Sequence, residues 1–203
     1  MATGLPDTVH AKRSLSFSFP RRGGRMAAEN DYSGSGRPIE ELECRPPGVE
    51  DLLDLCRELN ERRAKYIVVG GFAIRAAGYM RDTMDIDLVV ATDLENEGRV
   101  YRALEILPDK AVLELKPGEV GQYGVVRVGD EVVVDLMQSA AGIDYAEAIK
   151  DVVIREVEGV PIPFASPRLL WRMKVHTHRE KDAGDLVFLR EYFSAQGQEA
   201  PVD

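Results

Sequence analysis

Two short apolar runs constrain this chain more than any other feature. Residues 66–69 (YIVV) end in Gly70-Gly71, and residues 84–91 are broken at alternate positions by Asp85 and Asp87. In a strand, alternate side chains share a face. Asp85 and Asp87 therefore project together, while Ile86 and Leu88 point into a core. Two carboxylates on one face repel unless a cation lies between them, and a hard divalent ion with oxygen ligands, most simply Mg²⁺, resolves the repulsion. A third carboxylate, Asp135, is the only charge inside residues 132–137 (VVVDLM). A buried Asp needs a cation or a full set of hydrogen bonds. If its strand neighbours the Asp85/Asp87 strand, three carboxylates converge, enough to hold two metal ions about 4 Å apart.

Gly70-Gly71 closes a strand and opens a helix. Glycine lets the backbone approach a ligand closely, and the free N–H groups of a helix start favour phosphate oxygens. No GxGxxG and no Gly-Lys-Ser/Thr competes as a phosphate motif. Around this centre, helical spacing of Leu52, Leu53, Cys56 and Leu59 predicts an amphipathic helix over about 49–64, and a short helix is expected over 72–77. Thr92 and Glu95 read as a capping box for a helix burying Leu94, Val100, Leu104 and Leu107. Residues 123–128 and 131–137 flank Gly129-Asp130 as a hairpin, and 152–157 reads as a further strand. Ser166-Pro167 opens a helix to about residue 176, and a last helix covers about 180–194. The order predicts an α+β fold, a sandwich-like mixed sheet with packed helices and two C-terminal helices.

Composition narrows the function classes. Lys+Arg 26 against Asp+Glu 35 gives a net charge of −9 over 203 residues, which argues against coating nucleic acid non-specifically. The longest nearly apolar run, 66–74, is far short of the roughly 18 residues of a membrane span. Cys44 and Cys56 make neither a metal spacing nor a disulfide framework, so a reducing, cytoplasmic setting is expected. Residues 1–45 are rich in Gly, Ser, Pro and Arg without periodicity and read as a disordered basic tail, with Met26 an alternative start. The folded domain is expected over 46–195, with 196–203 mobile.

The glycine pair, its spacer and Asp-hydrophobic-Asp resemble the nucleotidyltransferase superfamily that includes polymerase beta. Arg81-x-Thr83-x-Asp85-Ile86-Asp87-Leu88 is similar, more narrowly, to its small prokaryotic branch, the AbiEii-type abortive-infection and toxin–antitoxin proteins. That branch adds a Leu-rich helix carrying Lys and then Arg-x-Lys-Asp-x-x-Asp-Leu. This chain has Leu169 through Lys174, then Arg179-Glu180-Lys181-Asp182-Ala183-Gly184-Asp185-Leu186.

The resemblance implies a nucleotidyltransferase palm and Mg²⁺- or Mn²⁺-dependent transfer of a nucleoside monophosphate from an NTP to an acceptor hydroxyl, releasing pyrophosphate. The acceptor would be an RNA 3′ end such as that of tRNA, a protein, or a small molecule. A toxin–antitoxin or phage-defence setting, with an antitoxin partner, is part of the same expectation. Asp85, Asp87 and Asp135 would bind metal, and Gly70 and Gly71 would hold phosphates. Lys174 would neutralise the triphosphate or departing pyrophosphate, with Asp185 orienting Lys174 or Arg179. Arg81 and Thr83 would line the nucleotide or acceptor side. The competing expectation is a non-catalytic, antitoxin-like or nucleotide-binding module, which predicts eroded carboxylates. His176 and His178, two apart on a helix, point about 200° away from each other and cannot share a zinc ion. The cations Arg168, Arg172, Lys174, Arg179 and Lys181 read equally as a solvated face or a phosphate-binding patch. Trp171 and Tyr192 read as core contacts.

Overall fold

The computed structural model describes residues 9–10, 44–177 and 179–201. The rest of the expected tail, Met26 and His178 lie outside the described residues. Helix α1 (Val49–Glu61) turns Leu52, Leu53, Leu55, Cys56 and Leu59 inward, and the Asp51 carboxylate accepts from the Gly48 N–H at its start. Strand β2 (Tyr66–Val68) follows β1 (Val9–His10) in chain order and leads directly into α2 (Gly70–Ala77). Next come β3 (Asp85–Val90), α3 (Leu94–Leu104), α4 (Glu119–Tyr123) and the paired strands β4 (Val125–Gly129) and β5 (Val133–Met137). A small ribbon, β6 (Ser139–Ala140) with β7 (Ile143–Asp144), precedes α5 (Tyr145–Ala148). A hairpin of β8 (Val152–Val157) and β9 (Val160–Ala165) leads to α6 (Pro167–Lys174) and α7 (Ala183–Ala195).

Among the described residues the main sheet runs β1-β4-β5-β3-β2-β9-β8. It is mixed, as the sequence predicts: β3 pairs parallel with β5, whereas β2–β3, β4–β5 and β8–β9 are antiparallel. The N-terminal pair Val9–His10 lies parallel to Val126–Arg127 of β4, a pairing that the reading of residues 1–45 as a tail did not contain. Beyond α7, the Pro201 carbonyl accepts from the Trp171 indole N–H at 3.0 Å, so part of the expected mobile end contacts the core.

Three expectations need correction. The cap of α3 is Asp93, whose side chain accepts from Asn96 N, rather than Thr92. Leu94 is 66% exposed, because Asn96 and Glu97 occupy the inward face instead. Asn96 exchanges hydrogen bonds with the Lys65 backbone and donates to the Ala91 carbonyl. The fully buried Glu97 accepts from three backbone N–H groups, of Gly118, Val120 and Gly121. Satisfying these loop donors outranks apolar periodicity.

The second difference is β9, a strand that the sequence expectations did not contain and in which Pro161 and Pro163 lack ladder donors. The strand forms nonetheless, through a two-residue turn in which Glu158 and Gly159 both have positive φ, and meets β2 at the single pair Val68↔Phe164. The third is the β4–β5 turn. Gly129 pairs with Val133, leaving a loop of three residues, Asp130 to Val132. The Asp130 carboxylate is withdrawn from solvent to accept from the N–H groups of Asp109, Ala111 and Glu131.

Candidate active site

The parallel register of β3 and β5 builds the centre of the site. Asp87 stands directly beside Asp135, and Asp85 beside Val133. Ile86 and Leu88 are fully buried, whereas Asp85 and Asp87 are half-buried, so the period-2 alternation holds. Asp85, Asp87 and Asp135 each offer a carboxylate oxygen, all within 4.8 Å of one another. Two ligands on opposite sides of one Mg²⁺ span about 4.2 Å. Adjacent ligands on the same ion stand about 3 Å apart, so the all-oxygen set suits a hard divalent ion once the carboxylates draw in around it.

The glycine pair is fitted against these carboxylates. Gly70 has φ +58°, and a Cβ placed there would lie 1.8 Å from Asp87 Oδ2. A Cβ at Gly71 would lie 2.3 Å from Thr83 Oγ1 and 3.3 Å from an Arg81 Nη1. Backbone and carboxylate thus approach as closely as glycine alone permits. Gly70→Ala is expected to cost more than about 1 kcal/mol of stability from the left-handed backbone alone, and to displace Asp87. Urea unfolding and Mn²⁺ titration check this together; a variant with wild-type midpoint and affinity would show that the close approach is dispensable.

Thr83 is buried, and its hydroxyl bonds the Asp85 carbonyl at 3.2 Å. Arg81 turns the other way. Its Nε and Nη2 fork the two oxygens of Asp185 at 2.8 and 3.0 Å. Asp185 is fully buried and also accepts the Lys174 ammonium at 2.9 Å. The same ammonium lies 2.6 Å from Asp182, whose second oxygen accepts from the Thr177 hydroxyl. Burial alone would push the Asp182 carboxyl up, but Lys174 and Thr177 outweigh it and hold its pKa below the ordinary carboxylate value.

The late motif therefore reaches the glycine turn through a chain of charges, Lys174, Asp185 and Arg81, the last lying beside Gly71. Of the two cations the resemblance assigned to Asp185, it takes Lys174, and it adds Arg81. Lys174 is 8% exposed, with its charge shared between two carboxylates. Arg179 is exposed at the start of the turn Glu180–Asp182.

Arg127 is the site residue that sequence reading missed. It stands opposite Asp135 across the β4–β5 ladder, Nε donating to Oδ1 at 2.8 Å and Nη2 to Oδ2 at 2.7 Å. The same Nη2 is 3.5 Å from Asp85 Oδ2. The Asp135 fork, outweighing partial burial, raises the guanidinium pKa. The signal was a lone cation in an otherwise apolar strand (YGVVRVG). With Gly129-Asp130 taken as a two-residue turn, the register moves and Arg127 no longer faces Asp135.

The remaining candidates do not join this centre as one patch. Arg172 pairs with Glu147, Lys174 is buried, and Arg168 is exposed. His176 is exposed as well. Trp171 is buried and packs edge-on against Phe193, 6.2 Å between centroids, and Tyr192 packs beside Phe193. Among the described residues no helix is long and apolar enough to cross a membrane.

No protein-family profile matches the chain, and no curated protein matches it in sequence. Solved structures with a similar course of chain include ANT(2″)-Ia in complex with adenylyl-2″-tobramycin, at 16% identity and TM-score 0.48, covering 73% of this chain and 91% of that one. A candidate nucleotidyltransferase of Thermotoga maritima aligns at 15% identity and TM-score 0.47, over 77% of this chain and 99% of the other. An antigenic nucleotidyltransferase-like protein of Paracoccidioides brasiliensis gives 16% and 0.44, over 72% and 76%.

Proposed function

We propose that this chain is a metal-dependent nucleotidyltransferase, moving a nucleoside monophosphate from an NTP to an acceptor hydroxyl. The supporting observation is the contact between Gly70 and Asp87, which sets a phosphate-accepting turn against three converging carboxylates. Asp85, Asp87 and Asp135 would hold Mg²⁺ or Mn²⁺, which when bound lowers the pKa of an oxygen nucleophile and stabilises charge on phosphoryl oxygens. The N–H groups at the start of α2, freed by Gly70 and Gly71, receive phosphate oxygens. The acceptor oxygen forms a bond to the α-phosphorus as the bond to the β-phosphate oxygen breaks; the hydroxyl proton passes to solvent and pyrophosphate leaves. Arg81 and Thr83 line the turn beside Gly71. Lys174, held between Asp182 and Asp185, would set the carboxylate that anchors Arg81, and the exposed Arg179 would supply positive charge for the leaving pyrophosphate.

The narrower reading, an AbiEii-like enzyme in a toxin–antitoxin or phage-defence setting acting on RNA, protein or a small molecule, is supported by the late motif and its Lys174–Asp185 pair. The alternative is a non-catalytic module, which predicts eroded carboxylates; here all three are present and converge. Purified protein incubated with each α-labelled NTP, Mg²⁺ and a cell extract is expected to place label in one of the RNA, protein or small-molecule fractions. Folded protein that transfers no label from any NTP, with Mg²⁺ or Mn²⁺, would favour the non-catalytic module.

A further inference from the structure

The carboxylate cluster already contains a cation. Among the described residues no buried side-chain polar atom lacks a hydrogen-bond partner, and at Asp135 the partner is Arg127 on both oxygens. Its Nη2 also reaches toward Asp85, so a single guanidinium spans two of the three prospective ligand residues. Asp135 is 11% exposed in its side chain, whereas Arg127 is 42% exposed. The carboxylate is fixed in the floor while the guanidinium approaches from the solvent side. Three carboxylates and one guanidinium leave two net negative charges, the complement of a single divalent ion rather than two.

We propose that Arg127 is a built-in counter-cation that competes with the divalent ion for the Asp85–Asp135 side of the cluster. It holds Asp85 and Asp135 together in the absence of metal and weakens metal binding by the protein alone. A bound triphosphate shifts the balance, because the planar fork that fits a carboxylate also fits a phosphate. Arg127 then exchanges partners, and metal enters with the nucleotide. The inference rests on the metal-site reading above. It adds an order of events: nucleotide and metal bind cooperatively, with Arg127 as the coupling residue.

Mn²⁺ titration by calorimetry or electron paramagnetic resonance tests this without any turnover. Arg127→Gln is expected to bind Mn²⁺ about tenfold more tightly than wild type in the absence of nucleotide, since a unit charge a few ångströms from the ion is removed. Arg127→Lys, which keeps the charge, should stay within about threefold of wild type. With a non-hydrolysable NTP analogue the difference between wild type and Arg127→Gln should shrink. Melting in EDTA should be lower for Arg127→Gln, with Mn²⁺ restoring more of it than it adds to wild type. Equal or weaker Mn²⁺ binding by folded Arg127→Gln overturns the inference.

Asp135→Asn separates the two levels. If it abolishes Mn²⁺ binding while Arg127→Gln leaves affinity unchanged, the metal site stands and the inference alone falls. If neither wild type nor Arg127→Gln binds Mn²⁺ at millimolar concentration, both fall. Should Arg127→Gln fail to fold, the wild-type Arg127 Nε–H resonance, assigned by its loss in Arg127→Lys, provides the reading. Adding Mg²⁺ with the NTP analogue is expected to shift it, and an unmoved resonance overturns the exchange.

Discussion

Asp87→Asn is expected to lower nucleotidyl transfer by about a thousandfold while leaving the fold intact. The amide matches the carboxylate in shape, so it still fits beneath Gly70, where Asp87 Oδ2 lies 1.8 Å from the position of a hypothetical Cβ. What changes is charge. Asp87 stands beside Asp135 in the strand register and within ligand reach of Asp85, and a neutral amide is a poor ligand for a hard cation. Losing one charge-stabilising group typically costs a hundredfold to a thousandfold, and here a metal ligand is lost as well. The melting temperature should stay level or rise, because one member of a crowded carboxylate set is neutralised. Label transfer within a few-fold of wild type would remove Asp87 from the chemistry; a collapse in melting temperature would recast it as structural.

Lys174→Met should be the most destabilising single change outside the apolar core. The substitution keeps the length of the side chain and removes the ammonium from between Asp182 and Asp185, which are 3% and 0% exposed. Breaking a buried ion pair by deleting one partner costs about 3–5 kcal/mol. Asp185 retains Arg81 and Asp182 retains Thr177, so the lower end, about 3 kcal/mol, is expected. In a domain of this size that corresponds to roughly 6–12 °C in melting temperature. The same network sets an acid limit. The Asp182 pKa is lowered in the folded state, so its contribution is complete above the unfolded carboxylate pKa near ~4 and is lost as pH falls through the lower folded value. An unfolding free energy from urea titration for Lys174→Met within about 1 kcal/mol of wild type would mean that the pair is replaceable by water.

Local patterning disclosed the parts of this molecule whose cause is local. Asp85 and Asp87 share a face because a strand alternates, and Ser166 caps α6 through the Leu169 N–H because Pro167 presets the first turn. The convergence of Asp135 could be stated only as a condition, since adjacency of β3 and β5 depends on a long crossover. Arg127 stayed hidden because its partner follows from a turn of three residues rather than two. That turn length is set by Asp130, which is engaged far from the hairpin by Asp109 and Ala111. The inward face of α3 was misjudged for a related reason. Glu97 serves the backbone around α4, and no count of apolar spacing reveals a carboxylate recruited by a distant loop.

The charge relay through Asp185 also bears on synthesis. A ribosome adds about 5–20 residues per second, and the glycine turn, β3 and β5 all precede α6 and α7 in the chain. Arg81 is made long before the fully buried carboxylate that anchors it. A nascent chain that has folded its sheet but not received α7 has its three aspartates in register, while Arg81 has no Asp185 to hold it. Arg81 is thus fixed beside Gly71 only once α7 has been added to the sheet.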